Sequence, residues 1–282
     1  KGFGVTRLSL GVENFNDHIL ETNGRAHRSK EVFSAYEFAR GLGFDNINID
    51  LISGMLEETD ENWSDCVDQV IKLSPDCVTI YQMEVPFNTG IFKKMKEEGK
   101  LTAPVADWPT KRRWVKEAYT KLEAAGYTVT SAYTAVKNPQ TTKFIYRDRL
   151  WSGADMIGLG VSSFGHLGGI HYQNITHIDN YCDTVESKSL PIRRALMTKE
   201  DERFIRELIL QWKLGRVSQK SFVDKFGISI TERFSSILSE WERKGDVIIK
   251  GDELFLSRDA LLRVDSLLHG FFLPEHQDSR YV

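Results

Sequence analysis

An alternation running through the first half of the chain restricts the fold most. Short β-rich runs at 7–13, 46–52, 77–84 and 127–136 are separated by amphipathic helical stretches at about 29–42, 60–73 and 109–125. No hairpin signal joins consecutive β-runs, so the strand–helix–strand succession predicts a parallel sheet with right-handed crossovers. A (β/α) barrel and an open doubly wound sheet both satisfy the pattern. Ser29 and Thr59 or Asp60 are candidate N-caps, Pro109 suits a first helical turn, and Gly41, Gly43 and Gly126 stand where helices end. A later run, 153–165 (GADMIGLGVSSFG), reads as a glycine-rich strand and loop where backbone can approach a ligand closely.

From about Met197 the texture changes. Helical runs occupy 199–214, 218–226 and 231–244, and 246–256 (DVIIKGDELFL) is two β-rich arms around Gly251, a hairpin signal. Helices followed by a small hairpin predict a winged-helix-like module. From Lys199 to Val282 there are 14 Lys and Arg against 15 Asp and Glu. That balance lacks the basic footprint of a nucleic-acid binder, so a packing or lid role is expected. No run of eighteen apolar residues exists, so no membrane span is expected. Cys66, Cys77 and Cys182 are too widely spaced for a disulfide framework and suit a reducing cytoplasm; the first two read as core thiols.

The residues that promise chemistry are set apart by position. Glu13 ends the first β-run, Asp50 lies near the end of the second and Glu84 ends the third. In parallel α/β folds the ligand site lies at the carboxyl ends of the strands, so three carboxylates are expected at one mouth. There they can accept hydrogen bonds from ribose hydroxyls or an ammonium group, or hold a divalent metal; alternatively, strand ends are polar simply because loops begin there. Arg25, in the loop after Glu13, can clamp a ligand carboxylate or stand solvated. His166, His171 and His177 have spacings that match no zinc motif, and GHLGG at 165–169 lacks the Lys and Ser or Thr of a phosphate loop.

At this point the residues resemble a known family. GVTRLSLGVENFN (4–16), NGR (23–25), GFDNINIDLISG (43–54), SPD (74–76), GLGVS (158–162) and YQN (172–174) are similar, in order and spacing, to the coproporphyrinogen oxidase and heme-chaperone group of radical S-adenosylmethionine (SAM) proteins. The resemblance implies an α/β fold: a partial (β/α) barrel of the radical SAM type over 1–185, followed by a C-terminal helical, winged-helix-like module over 186–282. It implies that Asp50 binds the adenosine ribose, that Arg25 binds the methionine carboxylate, that Glu13 takes the place of a SAM-contacting glutamine, and that Glu84 and Phe164 make further SAM contacts. It also implies a 4Fe-4S cluster, an electron donor and a small-molecule, tetrapyrrole-like substrate. Reduced SAM in that family yields a 5′-deoxyadenosyl radical that removes hydrogen from a porphyrinogen propionate.

The sequence departs from the family pattern in places. The cluster-binding cysteines and a glycine-rich stretch lie upstream in the family and are absent here, and the chain opens on Lys1-Gly2-Phe3-Gly4 without Met. A fragment is therefore expected, with strand 7–13 as a raw edge, Leu8 and Leu10 poorly covered, and poor solubility. Glu13 puts a carboxylate where the family has a neutral amide, and 54–56, 81–89 and 274–276 also differ. Rival readings are a heme-binding chaperone, with His166, His171, His269 or His276 as axial ligand, a methyltransferase of the same family, and a Mg²⁺-dependent barrel enzyme using Glu13, Asp50 and Glu84 as ligands.

Overall fold

The computed structural model describes residues 1–85, 89–97 and 105–277. Contact density divides them into two compact units, 1–143 with 258–264, and 144–257 with 265–277. This boundary lies upstream of the 185/186 division that the resemblance implies; segments 170–174 and 192–197 pair into one sheet.

The first unit begins with β1 (Arg7–Glu13), α1 (Asp17–Thr22), α2 (Ser29–Gly41), β2 (Asn46–Ser53), α3 (Asp60–Leu73) and β3 (Cys77–Gln82). It continues with α4 (Gly90–Glu97), α5 (Trp108–Ala124), β4 (Thr128–Val129) and β5 (Thr134–Val136). The sheet order is β1-β2-β3-β5-β4. β1, β2 and β3 are parallel, as the alternation predicts, but β5 runs antiparallel to β3 and pairs with β4 in a hairpin. The expectation of an all-parallel sheet is corrected there. A four-residue reversal at 130–133, closed by the Thr130 N–H donating to the Thr134 carbonyl (2.9 Å), turns the chain without a crossover helix.

Alternation along each parallel strand sorts its two faces. Leu8, Leu10 and Val12 of β1, Ile47, Ile49 and Leu51 of β2, and Val78 and Ile80 of β3 face the core. There they pack against Val32 and Tyr36 of α2, Trp63, Val67 and Val70 of α3, and Trp114, Val115 and Leu122 of α5. The other face carries Ser9, Asn48, Asp50 and Thr79, which hydrogen-bond to one another across three strands. The sheet therefore has one apolar, helix-covered side and one polar side.

Thr59 caps α3, and Asp107 caps α5 with Pro109 in its first turn. Ser29 does not cap α2. The helix starts at Ser29 itself, with Arg28 at the cap position, and the Ser29 N–H donates to Asp17 Oδ1 (2.7 Å). Cys66 and Cys77 are buried, and burial pushes the Cys66 thiol well above its ordinary range. β1 forms one edge of the sheet, with Leu8 and Leu10 only partly buried.

The second unit opens with α6 (Ile145–Trp151), and β6 (Phe164–Leu167), β7 (Ile170–Asn174) and β8 (Ile192–Met197) form an antiparallel sheet with α7 (Ile178–Glu186) between the last two. α8 (Glu200–Trp212), β9 (Arg216–Ser218), α9 (Gln219–Phe226), α10 (Ile230–Arg233) and α11 (Ser235–Lys244) follow. β10 (Val247–Lys250) and β11 (Glu253–Leu256) form the expected hairpin and pair with β9. Aromatic packing, including Phe204 on Phe222 and Trp212 on Trp241, holds this winged-helix-like part together. The chain then returns to the first unit as α12 (Arg258–Leu261). Leu262 joins that unit's core and its carbonyl accepts from Gln82 Nε2 (2.8 Å) before α13 (Val264–Leu268). Among the described residues, no helix is long and apolar enough to cross a membrane.

Candidate functional site

The carboxyl ends of β1 and β2 bring charged groups together on the polar side of the sheet. A register shift between Gly11 and Glu13 places Glu13 at a bulge, where it adopts φ 68°, a left-handed conformation that a non-glycine residue holds only under local constraint. Its carboxylate lies back over Gly11; a Cβ added there would stand 3.2 Å from Glu13 Oε1. Arg25 Nη2 is 3.7 Å from Glu13 Oε2. Burial, with a smaller push from Asp50, raises the Glu13 pKa, while Arg25 and His27 pull it down. Asp50 accepts from Ser9 Oγ (2.9 Å) and Asn48 Nδ2 (2.8 Å), which fixes its carboxylate and leaves further acceptor capacity on the two oxygens. Arg25 Nε is buried without a hydrogen-bond partner.

The loops around these strand ends are tied to one another. Asn23 Nδ2 donates to the Leu56 carbonyl (3.1 Å) and Asn23 Oδ1 accepts from the Leu56 N–H (2.9 Å). Glu58 accepts from the N–H groups of Gly54 (2.6 Å) and Met55 (3.1 Å) and from Asn14 Nδ2 (2.8 Å). Asn14 itself is fully buried. Sequence reasoning missed His27, Asn14 and Glu58. His27 acts through a 3.0 Å contact to the Val12 carbonyl, which no side-chain pattern announces. The other two stand in loops where polar residues are ordinary.

Burial pushes the Glu58 carboxyl up to about 7, against the opposing pull of its three donors. A carboxyl whose folded pKa exceeds its unfolded value adds stability below the unfolded pKa, and that stability is lost as pH rises through the folded one. Thermal unfolding followed between pH 5 and 8 is therefore expected to show a downward contribution to Tm that Glu58→Gln abolishes. An unchanged pH slope in the variant would contradict this role.

Glu84 does not join Glu13 and Asp50. β3 ends at Gln82, and Glu84 lies exposed beyond it, close enough to Lys111 to raise that amine's pKa against the larger effect of burial. Lys111 Nζ donates to the Met83 carbonyl (2.8 Å). Residues 86–88 of the segment 81–89 lie outside the described residues.

The radical SAM superfamily profile matches residues 1–70, the stretch that carries β1, Arg25, β2 and Glu58. Over 276 residues the chain is 28% identical to the heme chaperone HemW of Bacillus subtilis, covering 98% of this chain and 71% of that protein. Over 298 residues it is 26% identical to the oxygen-independent coproporphyrinogen III oxidase of Pseudomonas aeruginosa, covering 99% of this chain and 63% of that one. The fold matches coproporphyrinogen III oxidase (HemN) from Escherichia coli, a radical SAM enzyme, with a TM-score of 0.78 at 20% identity, over 96% of this chain and 64% of that one. The chain is thus similar, over nearly its whole length, to proteins of the coproporphyrinogen oxidase and heme chaperone group, and its first 70 residues match the radical SAM superfamily. It spans less than two thirds of the length of the two oxidases.

The polar strand ends suit SAM chemically: a fixed carboxylate for hydroxyl donors, and a guanidinium with an unused buried donor beside a second carboxylate. The same residues do not suit metal. Among the described residues, no group of three or more His, Cys, Asp or Glu side chains is placed to hold an ion. Glu13, Asp50 and Glu84 therefore do not form the ligand set that the Mg²⁺ reading needs. Nor do Cys66, Cys77 and Cys182 suit an iron–sulfur cluster, since two are buried in the first unit and the third is exposed in the second.

The remaining candidates belong to the second unit. Phe164 is half exposed on β6 and stacks on His171, with centroids 5.6 Å apart. The glycine-rich run before it approaches its own chain closely: a Cβ on Gly158 would stand 2.3 Å from the Phe164 carbonyl oxygen. His269 stacks on Phe272, and His276 is hydrogen-bonded to Glu202 (3.1 Å).

Proposed function

We propose that the polar strand ends of the first unit bind SAM and that the protein is an oxidoreductase of the coproporphyrinogen oxidase kind, acting on a tetrapyrrole in heme or porphyrin metabolism. The observation that carries this reading is the convergence of Asp50, Glu13 and Arg25 on the polar side of the sheet. Asp50 accepts from the ribose hydroxyls, oriented by Ser9 and Asn48. Arg25 pairs with the methionine carboxylate, and Glu13, held beside Arg25, accepts from the ammonium group. This charge order resolves the substitution of a carboxylate for a neutral amide, because Glu13 meets cations on both sides. Glu84, exposed past the end of β3, is a further contact in this proposal. When bound and reduced, SAM supplies one-electron hydrogen-abstraction chemistry; the protein's residues bind it, orient it and limit access of water.

The likeness to a heme chaperone favours a second reading, in which the barrel is retained and heme is carried rather than porphyrinogen oxidised. Anaerobic assay of the reduced, cluster-reconstituted protein with coproporphyrinogen III, SAM and an electron acceptor separates the two. Release of carbon dioxide with formation of vinyl groups is the expected result. Stoichiometric, stable retention of added hemin without decarboxylation would replace it with the chaperone reading.

A further inference from the structure

The second unit holds two imidazoles and a guanidinium that the SAM site does not use. Directly paired residues of an antiparallel sheet share a face, and so do residues two apart on one strand. The register His166↔His171 and His171↔Leu196 therefore places Phe164, His166, His171 and Leu196 on one face of the β6-β7-β8 sheet. The two imidazole centroids are 6.0 Å apart, and Phe164 stacks nearly parallel on His171. His166 is 5% exposed, and its Nδ1 is buried with no hydrogen-bond partner. A buried polar atom left in this way costs stability unless something pairs with it.

Arg206 of α8 is half-buried, and its charge is among the causes that depress both imidazoles below their ordinary pKa, after burial itself. Burial depresses Arg206 in turn, opposed by Glu207 and Asp155. Each acid also has a partner outside the group. Glu207 is taken up by Lys225 Nζ (2.5 Å), and Asp155 accepts from the Gly168 N–H (3.1 Å). Arg203 and Arg194 add further positive charge in the same neighbourhood. An aromatic ring beside two imidazoles and a guanidinium is suited to a flat ring bearing an acid group.

We propose that His166, His171 and Arg206 form a carboxylate subsite, with Phe164 as its stacking wall, that receives a propionate group of the tetrapyrrole. The identification of the ligand as a tetrapyrrole rests on the function proposed above; the cationic subsite rests on the second unit alone.

The test titrates the 282-residue chain with coproporphyrin III, and with its tetramethyl ester in the same detergent, following porphyrin fluorescence. The unaltered chain is expected to prefer the free acid. Arg206→Gln and His171→Phe are each expected to weaken the acid about tenfold, as for the loss of one charge-assisted hydrogen bond, with the ester unchanged. His171→Phe keeps a ring against Phe164, and Arg206→Lys, which keeps the charge, should recover part of the affinity. Equal affinity for acid and ester, or an Arg206→Gln variant that binds the acid unchanged, would overturn the subsite. So would displacement of coproporphyrin by SAM in a manner lost with Arg206→Gln, which would assign these groups to the methionine carboxylate. A chain that binds SAM through Asp50 but no porphyrin sinks the subsite alone. A chain that binds the acid through Arg206 but no SAM sinks the SAM reading alone.

Discussion

Replacing Trp63 with alanine is expected to destabilise the first unit by about 3–5 kcal/mol, the range for losing a fully buried aromatic side chain. Trp63 is 2% exposed on the inner face of α3, where its indole stacks on Trp114 with centroids 6.3 Å apart. Its Nε1 donates to the Trp114 carbonyl (2.9 Å), joining α3 to α5 behind the sheet. Truncation removes the apolar contacts, leaves a cavity and takes away that hydrogen bond at once. Urea unfolding followed by far-ultraviolet circular dichroism measures the effect as a shift in midpoint. Phe38→Ala is the control: Phe38 is 70% exposed, and a change within about 0.5 kcal/mol is expected there. A Trp63→Ala variant as stable as the control would mean that the α3–α5 seam does not hold the sheet.

Asp50→Ala and Arg25→Gln are expected to weaken SAM binding by about tenfold or more each, since each removes a charge-assisted contact from a partly dry site. The two should differ in character. Arg25→Gln also leaves Glu13, raised by burial and no longer offset by Arg25, free to take up a proton. Its residual affinity should therefore depend on pH around the Glu13 titration, whereas that of Asp50→Ala should not. Glu13→Gln, which restores a neutral amide, should retain binding. Equilibrium dialysis with labelled SAM reads all three. Equal affinity in all variants would remove SAM from this face of the sheet.

The alternation of β-runs and helices made β1, β2 and β3 and their parallel direction legible, and Thr59 and Pro109 marked helix starts because their chemistry is local. The polar side of the sheet was also written in the strands. Leu8, Leu10, Ile47 and Ile49 alternate with Ser9, Asn48 and Asp50, so the strands are not apolar throughout as a sheet covered on both faces would be. The β4–β5 hairpin escaped notice because Ser131-Ala132-Tyr133 contains neither the glycine nor the asparagine that usually marks a tight turn. The third β-run reads as ending at Glu84, whereas β3 stops at Gln82, because strand pairing with β2 ends there and the side chain of Glu84 lies beyond it. The pairing of β8 with β7 joins segments across α7, and only strand register reveals that contact.

Isothermal titration of the chain with SAM, repeated with EDTA and with Mg²⁺, tests the central claim most directly. Saturable binding of SAM that is indifferent to both additions and is lost with Asp50→Ala is the predicted result. Failure to bind SAM, together with Mg²⁺ binding that Asp50→Ala abolishes, would contradict it and return the strand-end carboxylates to metal chemistry.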